Sequence, residues 1–207
     1  MSGDTGQLQR LTDQQVSARL AAYNAGGSLD RDLQLLREKA GDLIETEVRE
    51  QFGGDAAATV KTHYASKVDA NWIQNVAEYG RRIFRDKTSV PQYIAARDQL
   101  ITRVVDGMFD RFGDDQHELQ ACVAAFQRLT TIETDIILAQ VSLLEAIEAA
   151  DQRGRESEQF ERRVADLVRA STEQSKALTE RTRSTSASAR GMLGKTSEVA
   201  AAAEQSA

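Results

Sequence analysis

QHELQACVAAFQRLTTIETDIILAQVSLLEAIEAA, residues 116–150, is the stretch around which the chain is organised. Apolar side chains fall at Leu119, Cys122, Val123, Phe126, Leu129, Ile132, Ile136, Ile137, Val141, Leu144 and Ile147. Most steps are of three or four residues, the spacing of one face of an α-helix. Asp114 or Asp115 is placed to cap the start, and acids in that turn suit the helix dipole. Neither Pro nor Gly intervenes before Gly154. A second side, with Ile137, Leu138 and Leu143, is also apolar, so more than one face should be covered. A helix over this span is roughly 50 Å long, more than one small core spans, so its far end should leave a globular body. The composition changes after Gly154. The pattern predicts a helical body, a central helix and an outgoing helical stalk.

Upstream, the same periodicity predicts further helices and no strands. Thr12 or Asp13 caps a short helix carrying Val16, Leu20 and Tyr23, which Asn24, Gly26 and Gly27 end. Ser28 is the expected cap of a helix that runs unbroken through Leu29, Leu33, Leu36, Ala40, Ile44, Val48 and Phe52 to Gly53-Gly54. A short helix follows from Asp55 to about Lys67. Asp69 opens another, with Trp72, Val76, Tyr79 and Ile83 on one face and Ile73, Ala77, Gly80 and Phe84 beside it. Ser89-Val90-Pro91-Gln92 has the form of a capping box, and the chain's single proline suits a first helical turn. A helix from Val90 to about Phe112 buries Ile94, Ile101, Val104 and Met108.

Composition narrows the function classes. The 207 residues suit one domain with an appendage, and a hydrophobic fraction of 41% is enough for a core. The net charge of −6 argues against a general nucleic-acid binder. The single cysteine, Cys122, has no intrachain partner and lies on an apolar face, the setting of a buried structural thiol. The polar N-terminus lacks the apolar core of a signal peptide, and no run approaches the ~18 apolar residues of a membrane helix. A cytoplasmic protein without membrane insertion is expected. Two separated histidines and one cysteine make no zinc motif. Phosphate-loop, dinucleotide and nucleophile-elbow motifs are absent, so no enzyme activity is expected. Acidic pairs such as Asp114-Asp115 and Asp30/Asp32 sit at helix starts, where they cap.

From Phe160 a heptad can be written with Val164, Ser171, Leu178, Thr185, Met192, Val199 and Ser206 in one seam position. Phe160, Leu167, Gln174, Arg181, Ser188, Lys195 and Ala202 fill the other. The seam is weak, since the second set is apolar only at its ends. Gly191 and Gly194 are its soft points, a low-complexity tail is the plain alternative, and the pattern stops in mid-repeat as if truncated.

Phe160 to Val168 with the Ser/Thr/Ala heptads behind it resembles the helical lead-in to the signalling region of bacterial chemoreceptors. Residues from about 28 to 152 resemble the globin domain of globin-coupled sensors, including soluble heme-based aerotaxis transducers. Pro91-Gln92-Tyr93-Ile94 is similar to that family's proline–aromatic signature. Leu129-Thr130-Thr131-Ile132-Glu133 with the apolar run behind it looks like its last globin helix. The resemblance implies a heme pocket near Phe84, Tyr93, Ile94 and Ile83. It also implies that Phe84 stands where the family places the proximal histidine, and a phenyl ring offers iron no lone pair. The helix before Phe52 lacks the family's tyrosine, and the segment from Phe52 to His63 is short for it. A heme-free variant is therefore expected, with His63 as a displaced heme ligand the alternative; the plain reading of His63 is a surface or inter-helix residue.

The sequence thus predicts an all-α protein: a globin-like sensor body followed by a long helical coiled-coil signalling stalk. Residues 1–27 form a tail and short helix, 28–152 the sensor domain, and 153–207 the stalk. The expected role is signal transduction of the methyl-accepting chemotaxis kind. The protein would be a homodimer coupled to downstream chemoreceptor or kinase signalling proteins. Leu129, Ile136, Ile137, Val141, Leu144, Phe160, Val164 and Leu167 are the expected dimer and signalling positions. A heme-based oxygen or redox sensor and a ligand-free coiled-coil adaptor are the alternatives.

Overall fold

The computed structural model describes residues 9–205, with side-chain surroundings described to residue 200. The chain is all-α: among the described residues there is no strand. In order come α1 (Asp13–Tyr23), a 3-10 turn (Ala25–Gly27), α2 (Ser28–Lys39), α3 (Gly41–Phe52), α4 (Gly54–Ala65), α5 (Ala70–Arg85), α6 (Val90–Phe112) and α7 (Gln116–Gln205). Most of the stretch before Arg10 and the terminal heptad position Ser206 lie outside the described residues.

Helix starts follow the capping chemistry of the sequence. Thr12 and Gln15 form a reciprocal capping box on α1, and Ser89 and Gln92 do the same on α6 with Pro91 in its first turn. Asp69 accepts from Trp72 N at the head of α5, and Asp115 accepts from Glu118 N at the head of α7. Two expectations need correction. Ser28 does not cap α2: its hydroxyl donates to Tyr23 O, and Asn24 Oδ1 accepts instead from the Leu29 and Asp30 amides. Asn24 takes the role because Gly26 and Gly27, with φ of 61° and 71°, fold the turn so that it faces the helix end. The helix from Leu29 to Phe52 is not continuous either. It breaks at Ala40 (φ −131°, ψ 6°), where Gly41, a poor helix former, starts α3 afresh.

The chain divides into two compact units, residues 1–149 and 150–207. In the first, Trp72, Ile73, Leu29, Leu33, Leu36, Ile44, Met108, Phe126, Leu129 and Ile136 are fully buried. Cys122 is buried among them. α1, expected ahead of the body, adds Val16 to the same core, and Leu11 just before its cap adds a second side chain. It is also tied to α7: Arg19 Nε and Tyr23 OH both donate to Asp135 Oδ2, at 2.8 and 2.9 Å. Asp30 and Asp32 make ties between elements rather than caps: Asp30 accepts from Val68 N, and Asp32 holds Arg128 in a bidentate pair.

The face of α7 read first in the sequence is where the structure departs most from expectation. Leu129, Ile136, Ile137, Val141 and Leu144 are all under 8% exposed within a single chain. All five are covered within one chain, and Leu129, Ile136 and Ile137 belong to the main core cluster, so they are not free dimer positions. In the second unit α7 is helical through Gly154, and every side chain from Ala150 to Ala200 is exposed. Phe160 and Leu167 stand 68% and 71% exposed, and Val164 41%. Among the described residues no helix is long and apolar enough to cross a membrane.

Candidate functional site

A cavity of about 530 Å³ opens in the first unit. Its wall begins with Val48 and Phe52 at the end of α3 and Ala56, Val60 and His63 on one face of α4. α5 contributes Val76, Tyr79, Arg82 and Ile83, and the corner after it Asp86 and Thr88. α6 adds Tyr93, Ala96, Arg97 and Leu100, and α7 adds Glu133 and Ile137. The lining residues that reach solvent (Phe52, Arg82, Asp86 and Thr88) mark its mouth. Its size falls in the range of ordinary small-molecule sites.

One end of the cavity is ionic. Arg97 Nη2 donates to Glu133 Oε2 at 2.6 Å and to Thr130 O at 2.9 Å. Both charged side chains are 14% exposed. His63 Nε2 lies 3.3 Å from the other Glu133 oxygen, without the alignment of a hydrogen bond. The imidazole stacks on Trp72 with ring centroids 4.4 Å apart. Burial alone pushes the Glu133 carboxyl up, but His63 and Arg97 together outweigh it and hold the acid below the ordinary carboxylate range. Burial works against the Arg97 charge, and Glu133 together with Tyr93 and Tyr64 more than offsets it. The site therefore keeps a buried ion pair. Around it the tyrosines are held neutral: burial raises Tyr64, Tyr79 and Tyr93, most strongly Tyr64.

Three buried polar atoms in this wall make no aligned hydrogen bond: His63 Nε2, which faces Glu133, and two further donors. The Tyr93 hydroxyl feels Thr134 and Arg97 nearby but makes no aligned hydrogen bond, and Arg97 Nε makes none. Unpaired buried polar atoms are uncommon and costly, so each calls for a reason.

Of the residues expected at the pocket, Ile83 and Tyr93 line the cavity and so does His63. Phe84 and Ile94 do not. Phe84 is half-buried with Lys87 Nζ 4.6 Å over its ring, and Ile94 is 39% exposed. Each is one residue out of register, because Tyr79 and Ile83 are the α5 side chains turned to the cavity and Tyr93 and Arg97 the α6 ones. His63 is an inter-helix residue, its side chain 9% exposed, whereas His117 is exposed. The Arg97–Glu133 pair was not foreseen. Its signal is a charge at an apolar register: Arg97 is spaced by helical steps from Tyr93 and Ile101, and Glu133 from Leu129 and Ile137.

These residues do not suit a heme held by His63. The nitrogen that would bind iron already faces a carboxylate at 3.3 Å, and Trp72 fixes the ring plane. Phe84, at the position the resemblance gives the proximal ligand, does not line the cavity. Among the described residues no cluster of His, Cys, Asp and Glu is arranged to hold a metal ion. The geometry instead offers a small-molecule cavity with an apolar wall and one electrically balanced polar end. No protein-family model, curated protein or solved structure matches this chain.

Proposed function

We propose that this chain is a dimeric sensory module, in which a ligand in the helical body biases the helix that leads to a signalling region. One observation carries the reading. The cavity wall includes Glu133 and Ile137, and both belong to α7, the helix that runs on to Gln205. An occupant that touches these residues acts directly on the output helix, and a small shift in its packing is a known form of signal. The sequence resemblance to sensor globins supports this reading, and Phe84, in the position the resemblance gives the proximal histidine, supports a sensor that works without heme.

The second unit supplies the output. An isolated water-exposed helix of this length has little to stabilise it. The apolar positions Phe160, Val164, Leu167, Leu178, Met192 and Val199 are exposed in one chain. They recur at heptad positions, and a second copy of the same helix covers them in a parallel coiled coil. The dimer contact is thus assigned to the stalk seam, since the α7 face inside the body is already covered.

The test uses the whole chain. Light scattering should give a dimer, and Phe160→Glu with Leu167→Glu should give a folded monomer with nearly unchanged helix content per chain in the body. A wild-type monomer at high concentration would refute the assembly. The same preparation, expressed with added heme, should show no stoichiometric Soret band. A band that vanishes in His63→Ala would replace this reading with a heme-based one.

A further inference from the structure

We propose that the cavity takes an uncharged amphipathic molecule with an apolar body of medium-chain size and a single carbonyl-type acceptor oxygen. The inference rests on the sensory reading and adds the chemistry of the ligand. Three observations give it. The polar end carries its own balanced charge, because Arg97 and Glu133 are paired at 2.6 Å and both buried. An anionic ligand would place a further negative charge beside Glu133, and a cation would compete with Arg97, each desolvated at a cost the site does not offset. Both carboxylate oxygens are faced, one by Arg97 and the other by His63. His63 Nε2 faces Glu133, and what remains free beyond it is donors: the Tyr93 hydroxyl and Arg97 Nε, both buried and without an aligned hydrogen bond. Free donors in a charge-balanced site call for an acceptor oxygen without charge, as in a ketone, amide or lactone. Most of the remaining wall, including Val60, Val76, Ile83, Leu100 and Ile137, is apolar and faces the rest of the molecule, while Arg82, Asp86 and Thr88 stand at the exposed mouth.

Trp72 gives the readout. It is the only tryptophan, is 1% exposed, and stacks on His63 at the cavity wall. Octan-2-one and octanoate, matched in chain length, are titrated into the whole protein at neutral pH while Trp72 emission is followed. Octan-2-one should give a saturable change, and octanoate should bind at least about tenfold more weakly, the factor that ~1.4 kcal/mol of charge desolvation produces. Tyr93→Phe removes one donor and keeps the ring. It should weaken octan-2-one roughly three- to tenfold, the size of one neutral hydrogen bond. Ala96→Phe, which narrows the cavity, should abolish the change, with circular dichroism confirming that the variant folds. Equal or tighter binding of octanoate overturns the assignment. So does an affinity for octan-2-one that neither substitution alters, or the absence of saturable binding by either probe. These outcomes are read on binding alone, so they are separate from the light-scattering result that tests the dimer.

Discussion

Glu133 is a carboxylate inside a protein, and that position governs how the body responds to acid. His63 on α4 and Arg97 on α6 hold its acid form below the ordinary carboxylate range against the opposing effect of burial. A depressed folded pKa means that the group adds stability at pH above the unfolded value, about 4.5, and that this is lost as pH falls through the folded value. Replacing Arg97 by Met leaves the buried charge with His63 alone. Such a change typically costs ~3–5 kcal/mol at neutral pH. With its main counter-charge gone, burial dominates and the carboxyl is raised above its unfolded value. The sign then reverses: in Arg97→Met, mild acidification from neutral pH should increase stability, whereas in the parent this group gives no such gain. Urea midpoints measured across the mildly acidic range check it, and parallel pH profiles for the two proteins would show that the pair does not control the acid response. Sequence alone reached part of this site. His63, Ile83 and Tyr93 were singled out and do line the cavity. Phe84 and Ile94 are pocket positions only by the resemblance to sensor globins, and on their helices it is the neighbours Ile83 and Tyr93 that face the cavity. The ion pair was missed because a charge is read by default as solvated.

At the scale of elements, the tightest constraint is the crossing of α5 and α7 at Gly80. A Cβ there would lie 2.5 Å from Ile137 O and 2.8 Å from Gln140 Cβ. Ile137 is also a cavity residue, so the crossing that Gly80 permits sets how close the α5 and α7 walls come. Beside it, Gln140 is fully buried and its Nε2 donates to Gln9 O at 2.8 Å, fixing the chain ahead of α1 to the same place. In a helix, Gly→Ala gains up to ~1 kcal/mol of intrinsic propensity. At Gly80 a backbone carbonyl stands in the way, and overpacking typically costs ~1–3 kcal/mol. Gly80→Ala should therefore be a net loss of about 1 kcal/mol. Gly154, also helical, has nothing within 4 Å of its missing Cβ, so Gly154→Ala should gain ~0.5–1 kcal/mol of helix stability. Thermal unfolding of the two variants should give shifts of opposite sign; a stabilised Gly80→Ala would mean that the two helices are not in this contact. Helix existence and most caps were legible in the sequence, since Thr12, Asp69 and Ser89 act locally through their own side chains. The break at Ala40 was not, because Ala40 is fully buried and fits the apolar register that suggested continuity.

For the whole molecule, the two units draw their stability from different sources. The first, residues 1–149, has a core built from every helix in it, and its hydrogen bonds between elements span long stretches of sequence, as in Gln9–Gln140 and Arg19–Asp135. The second, residues 150–207, has no described side chain that is buried. What holds a helix without a core is side-chain pairs along it, such as Arg162–Glu158, each worth ~0.2–0.5 kcal/mol, and a partner strand if there is one. The dimer reading therefore makes a thermodynamic prediction that the monomer reading does not. Unfolding of the second unit should be coupled to dissociation, so its midpoint should rise with protein concentration, while that of the first unit should not. Circular dichroism melts over a hundredfold range of concentration should resolve a mobile helical transition and a fixed one. The fixed one should carry the loss of Trp72 burial, because the only tryptophan belongs to the first unit. Phe160→Glu with Leu167→Glu should abolish the concentration dependence and leave the Trp72 transition in place. Two transitions that both ignore concentration would assign the stalk to a single chain, and the signal would then have to pass along one helix and not between two.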